Sequence, residues 1–462
     1  MNCLGLRMIA AHHESVKRHL FPGDGREAAA IGLCGRLGSL PDCRLLVREI
    51  HLVPHDICQR TPVSIIWPVS WLDPLLDRAA RENLSIVKFH SHPNDYRNFS
   101  AVDDRGDRGL FDGVYAWVDR DFPHGSVVMM SDGDMLGRIV TQEGQFLPFD
   151  KIAVVGDDVR FYHRLPTILL DDLAEIGRPA AAFGRQMTAD LGRLSVMIAG
   201  ASGTGSIMHE QAGRLGFGRI ESLDPQKVEL RNLNRVVNAT RADAVAGAEK
   251  VEVAKQAIED MGLGSSVEIH PINLVSHEAV QVAARSDIII GCVDSAEGRD
   301  VLNRIATYYL VPYIDVGVGI VALPDGTIDQ VNGAVHYLQP GKSSLLSRKA
   351  YRPAQVEADA LRRKDPKLYA ERLKEKYIEG ADENAPAVIS INMTMAALGM
   401  NEVLARLYQI RNAANNQYAS TRVNFAEMTM ESDVEAGQCL LLSRHVGRGD
   451  CNPPLGLPEL SV

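Results

Sequence analysis

Residues 194–206 read Leu194-Ser195-Val196-Met197-Ile198-Ala199-Gly200-Ala201-Ser202-Gly203-Thr204-Gly205-Ser206, a short apolar run that breaks into a glycine-rich turn. Leu194–Ala199 has the length and side chains of a buried strand. Gly200, Gly203 and Gly205 let the backbone approach a ligand closely. The helix predicted over Ser206–Leu215 presents its N-terminus there, which favours negative charge. Arg219–Leu223 reads as the next strand, and Asp287–Cys292 and Tyr313–Val318 as later ones. Buried strands alternating with long helical stretches predict an α/β, mostly parallel, doubly wound sheet of the Rossmann-like kind.

Outward from that stretch, the chain is too long for one core. Its 462 residues predict two or three domains. Up to about residue 150 the pattern differs: Leu45–Val53, Leu84–His90 and Leu136–Val140 read as strands, Leu72–Arg81 as a helix, and Ser131-Asp132-Gly133-Asp134 as a turn. This predicts an α+β N-terminal domain over 1–155, a connector with helical content over 156–180, the doubly wound domain over 181–425 and a tail over 426–462. Apolar residues make up 45% and charged residues 23%, as in soluble globular chains. No apolar run reaches 18 residues and no secretory signal opens the chain, so the expected compartment is the cytoplasm and no membrane is involved. A net charge of −10 argues against nucleic acid as partner. The seven cysteines are scattered without a Cys-x-x-Cys pair, which predicts reduced thiols. The basic residues at 348–349 and 362–364 read as solvated helix faces.

Two constellations carry chemistry. Phe89-His90-Ser91-His92-Pro93 is followed by Ser100 and Asp103. Two imidazoles one residue apart at a strand end can turn toward one cation, and a carboxylate a short loop later can complete a three-ligand face. That layout leaves a position for water and suits a hydrolytic zinc site. Such a site also needs a general base, and Glu27 is the candidate. In the second constellation Asp224 ends a strand and suits a ribose hydroxyl. Asn232-Leu233-Asn234-Arg235 and Gly247-Ala248-Glu249-Lys250 follow. An arginine and a lysine converging on one nucleotide suit a triphosphate, whose charge must be neutralised for attack at the α-phosphate.

The first set resembles the JAB/MPN (JAMM) metalloprotease family, in the order Glu, His-x-His-Pro, Ser, Asp. The resemblance implies that His90, His92 and Asp103 hold Zn2+, that Glu27 takes a proton from the attacking water, and that Ser100 hydrogen-bonds the developing oxyanion. The second set resembles the ThiF/MoeB and ubiquitin-activating adenylation family over about 181–410. Phe183-Gly184-Arg185-Gln186 is similar to that family's Tyr-Ser-Arg-Gln, and Cys292-Val293-Asp294-Ser295 to its Cys-Thr-Asp-Asn. By resemblance, Gly200, Gly203 and Gly205 form the nucleotide loop. Asp224 binds the ribose of ATP, and Asn232, Arg235 and Lys250 bind its phosphates. Asp294 positions Mg2+, and Arg185 reaches the site of a partner subunit in a homodimer.

One stretch departs from the adenylation pattern. Gln339-Pro340-Gly341-Lys342-Ser343-Ser344-Leu345-Leu346-Ser347 carries serines where cysteines are expected. Three routes for the acyl group stay open: an oxyester on Ser344 or its neighbours Ser343 and Ser347, a thioester on Cys439 or Cys451, or direct transfer from the adenylate. The expected function is ATP-dependent activation of the C-terminal tail of a ubiquitin-like protein and its transfer to a conjugating enzyme. The N-terminal domain would trim the precursor or remove conjugated modifier. Sulfur-carrier activation for cofactor biosynthesis and an inactive scaffold are the alternatives.

Overall fold

The computed structural model describes residues 3–165, 185–322, 327–375, 388–435 and 437–461. Two compact units separate. The first holds the described residues up to 165, with Tyr308–Leu310 and His445–Asn452. It is built on strands β1 (Gly5–Ile9), β2 (Ala29–Ser39), β3 (Asp42–Leu52), β4 (Gln59–Thr61), β5 (Ser64–Ile66), β6 (Ser85–His92), β7 (His124–Met130), β8 (Met135–Val140), β9 (Phe146–Pro148), β10 (Lys151–Val155) and β11 (Val159–His163). Nine of these form one mixed sheet in the order β11-β10-β1-β3-β2-β6-β7-β8-β9, and β4 and β5 form a separate hairpin.

Both faces of that sheet are covered, so β2 reads as a continuous apolar run rather than an alternating one. Ala30 and Cys34 face a core that includes Met8, Val87 and Phe89. Ala29, Ile31 and Leu33 face a second core that includes Leu76, Ile86 and Phe111. The period of two along β6 then decides the site. Ile86 lies on the face of the helix Ala101–Val118, and Lys88, His90 and His92 share its parity. That helix starts at Ser100, whose hydroxyl accepts the Asp103 N–H while the Asp103 carboxylate accepts the Ser100 N–H at 2.6 Å, a capping box.

The second unit holds β12 (Ser195–Ala199), β13 (Arg219–Leu223), β14 (Ser266–His270), β15 (Ile288–Gly291), β16 (Tyr313–Ala322), β17 (Ile328–Leu338), β18 (Ser420–Asn424) and β19 (Thr429–Asp433). The sheet order is β14-β13-β12-β15-β16-β17-β18-β19. The first five strands are parallel and the last three pair antiparallel. The expected doubly wound sheet is therefore present, extended by an antiparallel edge. The strand order reverses between β12 and β15, and in open α/β sheets that crevice is where ligands bind.

Two boundaries differ from expectation. Val159–His163, expected in the connector, is an edge strand of the first sheet, paired antiparallel with β10. Thr429–Asp433, expected in the tail, is the edge strand β19, and Cys439 and Leu455 are buried beyond it. Edge strands carry only one ladder and weak patterning, so their sequence resembles loop. Much of the expected connector, and Phe183 and Gly184, lie outside the described residues.

Candidate functional sites

In the first unit, His90, His92 and Asp103 place one ligand atom each within 4.8 Å of one another. The His90 Nε2 lies 3.0 Å from Asp103 Oδ1, and the His92 Nε2 lies 3.3 Å from Asp103 Oδ2. His92 uses its other nitrogen, Nδ1, on the Tyr96 carbonyl at 2.7 Å, which leaves Nε2 for a ligand. Burial opposes ionisation of Asp103, but hydrogen bonds with His90 and His92 outweigh it and hold the carboxyl well below the usual range. Burial, with Lys88 adding to it, pushes His90 down to about 4, so its imidazole is neutral. Two buried imidazoles and an ionised carboxylate, aimed at one point, are a donor set that fits a divalent cation such as zinc.

Glu27 sits just before β2, within electrostatic reach of His92 and Asp103. Burial pushes its carboxyl up to about 7, His92 pulls it back and Asp103 adds to the rise. Three contacts that sequence reasoning missed hold it there. The Glu27 N–H donates to the Thr61 carbonyl at 2.8 Å, and Arg60 Nε donates to the Glu27 carbonyl at 2.7 Å. The Ala28 N–H donates to Ser91 Oγ at 2.9 Å, and the serine between the two histidines thereby ties the segment of Glu27 to β6. Ser100 is half-buried, and its oxygen is engaged in the cap described above.

Behind the histidines lies a buried ionic cluster. Lys88 and Arg138 both pair with Asp107, which is 0% exposed, and Arg138 also reaches Asp104 at 2.6 Å. The Arg138 guanidinium stacks between Phe99 at 3.7 Å and Phe146 at 3.6 Å. Part of this was legible: Lys88 shares the parity of the histidines, and Asp107 stands four residues after Asp103 on one helix face. Arg138 comes from β8, two strands away from β6 in the sheet, and no local spacing points to it.

In the second unit the glycine turn joins β12 to the helix Gly203–Leu215. Gly200 has φ +94°, and a Cβ there would meet the Cys292 carbonyl at 2.6 Å; at Gly205 a Cβ would collide with the Gly200 carbonyl. Both positions therefore require glycine. The Cys292 contact brings the turn beside the segment after β15, where the exposed Asp294 stands. Burial and the Asp315 charge push the Cys292 thiol far up, so it is a poor nucleophile.

Asp224, at the end of β13, accepts the Ala201 N–H at 2.8 Å and the Gln226 N–H at 2.8 Å. Burial pushes its carboxyl up, and Lys250 pulls it back. Lys250 opens the helix Lys250–Met261, is buried, and donates to Gln226 Oε1 at 2.7 Å. Burial pushes its pKa down, while Asp224 and Asp294 raise it and Arg235 lowers it further. Lys250 thus lies within electrostatic reach of Asp224, Arg235, Asp294 and Glu229, with burial outweighing the three carboxylates. Asn232 uses its Oδ1 on the Glu229 N–H at 3.0 Å, inside a short turn. Arg185 heads the helix Arg185–Leu191.

The serine stretch behaves differently from the other sites. Ser344 is 1% exposed, and its Oγ accepts the Ser347 N–H at 3.1 Å while its own N–H donates to Ser347 Oγ at 2.8 Å. The oxyester reading needs an exposed hydroxyl beside a base, and this hydroxyl is hydrogen-bonded to Ser347. Ser343 hydrogen-bonds Glu435, which pairs with Arg348 at 2.9 Å, so Arg348 is a half-buried partner rather than part of a solvated face. Cys439 is buried, its N–H donating to the Lys342 carbonyl at 3.0 Å, so it does not lie in a mobile tail. None of the seven cysteines forms a disulfide. No helix among the described residues is long and apolar enough to cross a membrane.

A glycine turn at a sheet's switch point, with an aspartate, an arginine and a lysine around it, defines a nucleotide-binding α/β domain. Residues 176–440 match the ThiF family, and the chain belongs to it. Among its relatives is the ubiquitin-like modifier-activating enzyme 5 of Caenorhabditis briggsae, 26% identical over 164 residues, covering 33% of this chain and 35% of that protein. The Gallus gallus enzyme of the same name is 26% identical over 165 residues, covering 33% and 39%. The chain thus spans little more than a third of the length of these curated relatives. Among solved structures, E. coli MccB with ATP superposes with a TM-score of 0.42 at 18% identity, over 58% of this chain and 74% of that chain.

Proposed function

We propose that this chain uses ATP to adenylate the C-terminal carboxylate of a small ubiquitin-like protein, and that its first unit is a zinc peptidase acting at the bond after the same tail. The observation that carries the reading is the charge arrangement at Lys250. One buried ammonium interacts with Asp224, Arg235 and Asp294 at the mouth of a glycine turn. A dehydrogenase handling a dinucleotide has no need of two cations at that point, whereas in-line attack on a triphosphate does.

The chemistry follows from the residues. Asp224 accepts the ribose hydroxyl. Arg235, Lys250 and the amide of Asn232 donate to phosphate oxygens, and the first N–H groups of the helix Gly203–Leu215 face the same charge. A carboxylate oxygen of the modifier attacks the α-phosphorus. The new P–O bond forms as the bond to the bridging oxygen breaks, and pyrophosphate leaves. Mg2+, held by Asp294, would neutralise charge on the phosphates. Because Ser344 is buried in its own turn, the acyl group passes directly from the adenylate to the thiol of a conjugating enzyme, with AMP leaving. Arg185 completes the site of a second copy in a homodimer.

In the first unit His90, His92 and Asp103 would hold Zn2+, which supplies a Lewis acid for the scissile carbonyl. Glu27, with its carboxyl near neutrality, takes the proton of the attacking water. The Ser100 O–H donates toward the developing oxyanion.

ATP–pyrophosphate exchange by the full-length chain tests the first half. Exchange that needs an added ubiquitin-like protein with a free C-terminus is the expected result. Exchange absent with every such protein encoded beside this chain would end the reading. Zinc content by metal analysis, with release of a C-terminal extension from a modifier precursor, tests the second half.

A further inference from the structure

The helix Ile389–Leu407 packs against the helix Gly203–Leu215 and brings Asn392 onto the glycine turn. Asn392 is 5% exposed, and its side-chain amide makes no hydrogen bond among the described residues. A primary amide carries two donors and an acceptor, and here they are free for a ligand at the turn. Its position explains what would satisfy it. A Cβ built on Gly203 would collide with Asn392 Nδ2 and lie 3.4 Å from Arg235 Cδ. The amide and the arginine stem therefore flank the same glycine, at the first residue of a thirteen-residue helix. Ser202, at the helix N-cap, makes no side-chain cap, so no side chain of its own closes that end.

We infer that Asn392 is a nucleotide-binding residue, donating its Nδ2–H to a phosphate oxygen of ATP held between the N-terminus of the helix Gly203–Leu215 and Arg235. The inference rests on the adenylation reading above and adds a ligand from a distant part of the sequence. It also gives Gly203 a role its backbone angles do not demand: the absent side chain leaves room for the amide to reach the phosphate.

The test is calorimetric binding of a non-hydrolysable ATP analogue and, separately, of adenosine, to the full-length chain and to Asn392→Ala, Asn392→Ser and Asn392→Asp. Asn392→Ala and Asn392→Ser are expected to lose roughly tenfold to a hundredfold in affinity for the analogue, the scale of one hydrogen bond to a charged group, with adenosine binding unchanged. Asn392→Asp should lose more, because a carboxylate would oppose phosphate. Thermal melting identifies the folded variants, and one folded variant suffices. Unchanged analogue affinity in a folded variant overturns the inference alone. Equal losses for analogue and adenosine also overturn it, since they mark a packing role. Failure of the unaltered chain to bind the analogue overturns this inference and the adenylation reading together.

Discussion

His90, His92 and Asp103 touch one another, with Tyr96 orienting His92 and Ser100 orienting Asp103, whereas beside the glycine turn Asn392 leaves its amide without a partner among the described residues and Asp294 stands exposed. The difference follows from the ligands each site would take. A small cation needs its donors gathered to within a few ångströms, and a buried ionic cluster behind the strand keeps them there. A polyanion brings many oxygens of its own, so the protein offers unpaired donors and a glycine turn that can be approached. One site is prepared by gathering its groups onto one another, the other by setting donors around an open turn.

Substitutions can break that contrast. The largest effect is expected for Glu27→Gln, which should slow peptide release by roughly 10²–10⁴-fold, the usual contribution of a general base, while zinc stays bound. A variant that cleaves at the normal rate would remove Glu27 from the chemistry. Lys250→Ala comes next, with a loss of about 10²–10³-fold in exchange rate, comparable to deleting one donor that stabilises developing charge. An exchange rate unaltered by Lys250→Ala would mean that its charge is structural.

The cluster behind the histidines is tested by stability. Asp107→Asn strands Lys88 beside a neutral amide, leaves Arg138 with Asp104 alone, and should cost about 3–5 kcal/mol in urea unfolding of the first unit's transition. Lys88→Met combined with Asp107→Leu should cost less than Asp107→Asn alone, because the Lys88 charge is no longer left buried without a partner and Arg138 keeps Asp104. The opposite ranking would show that the ion pair itself, rather than the penalty of breaking it, holds the strand to the helix.

His124 sets a pH dependence. Its Nδ1 accepts the Ile86 N–H at 2.9 Å, so the folded ring is neutral, and burial pushes its pKa down to about 3. The unfolded chain, with an ordinary histidine near pH 6.5, takes up a proton that the folded chain refuses. Stability from this group is therefore complete above about pH 6.5 and falls by about 1.4 kcal/mol per pH unit as the pH drops toward 3. His124→Asn keeps an acceptor for Ile86 and removes the titration, and should flatten the decline between pH 6 and 4 by one proton. An unchanged slope would assign the acid sensitivity elsewhere. The smallest effect is expected for Ser344→Ala: adduct formation unchanged, and stability lowered by about 1 kcal/mol for the lost turn hydrogen bond. A base-labile adduct that disappears in this variant would restore the oxyester.

Much of this arrangement was open to sequence reasoning because its causes are local. The strand Arg219–Leu223 matches the observed strand in both bounds, and the histidine strand and the glycine turn were placed from short-range pattern. The glycines were legible because positive φ and close backbone approach exclude side chains. The edge strands β11 and β19 were not, since one hydrogen-bonded side leaves little trace in composition. Ser344 looked like a nucleophile because residue type and neighbouring Pro-Gly suggest a family position, while the turn that occupies its hydroxyl depends on Ser347 and on burial.

Periodicity and backbone sterics thus determined from sequence alone that a strand presents His90 and His92 on one face, and that a phosphate-sized approach exists at Gly200–Gly205. Only the tertiary structure decided which groups meet there. Asp107 with Arg138, Glu27 with Arg60 and Ser91, and Gly203 with Asn392 come from segments up to nearly two hundred residues apart. The sequence carries no spacing rule for such pairs, because contact at that range is set by how sheets and helices pack.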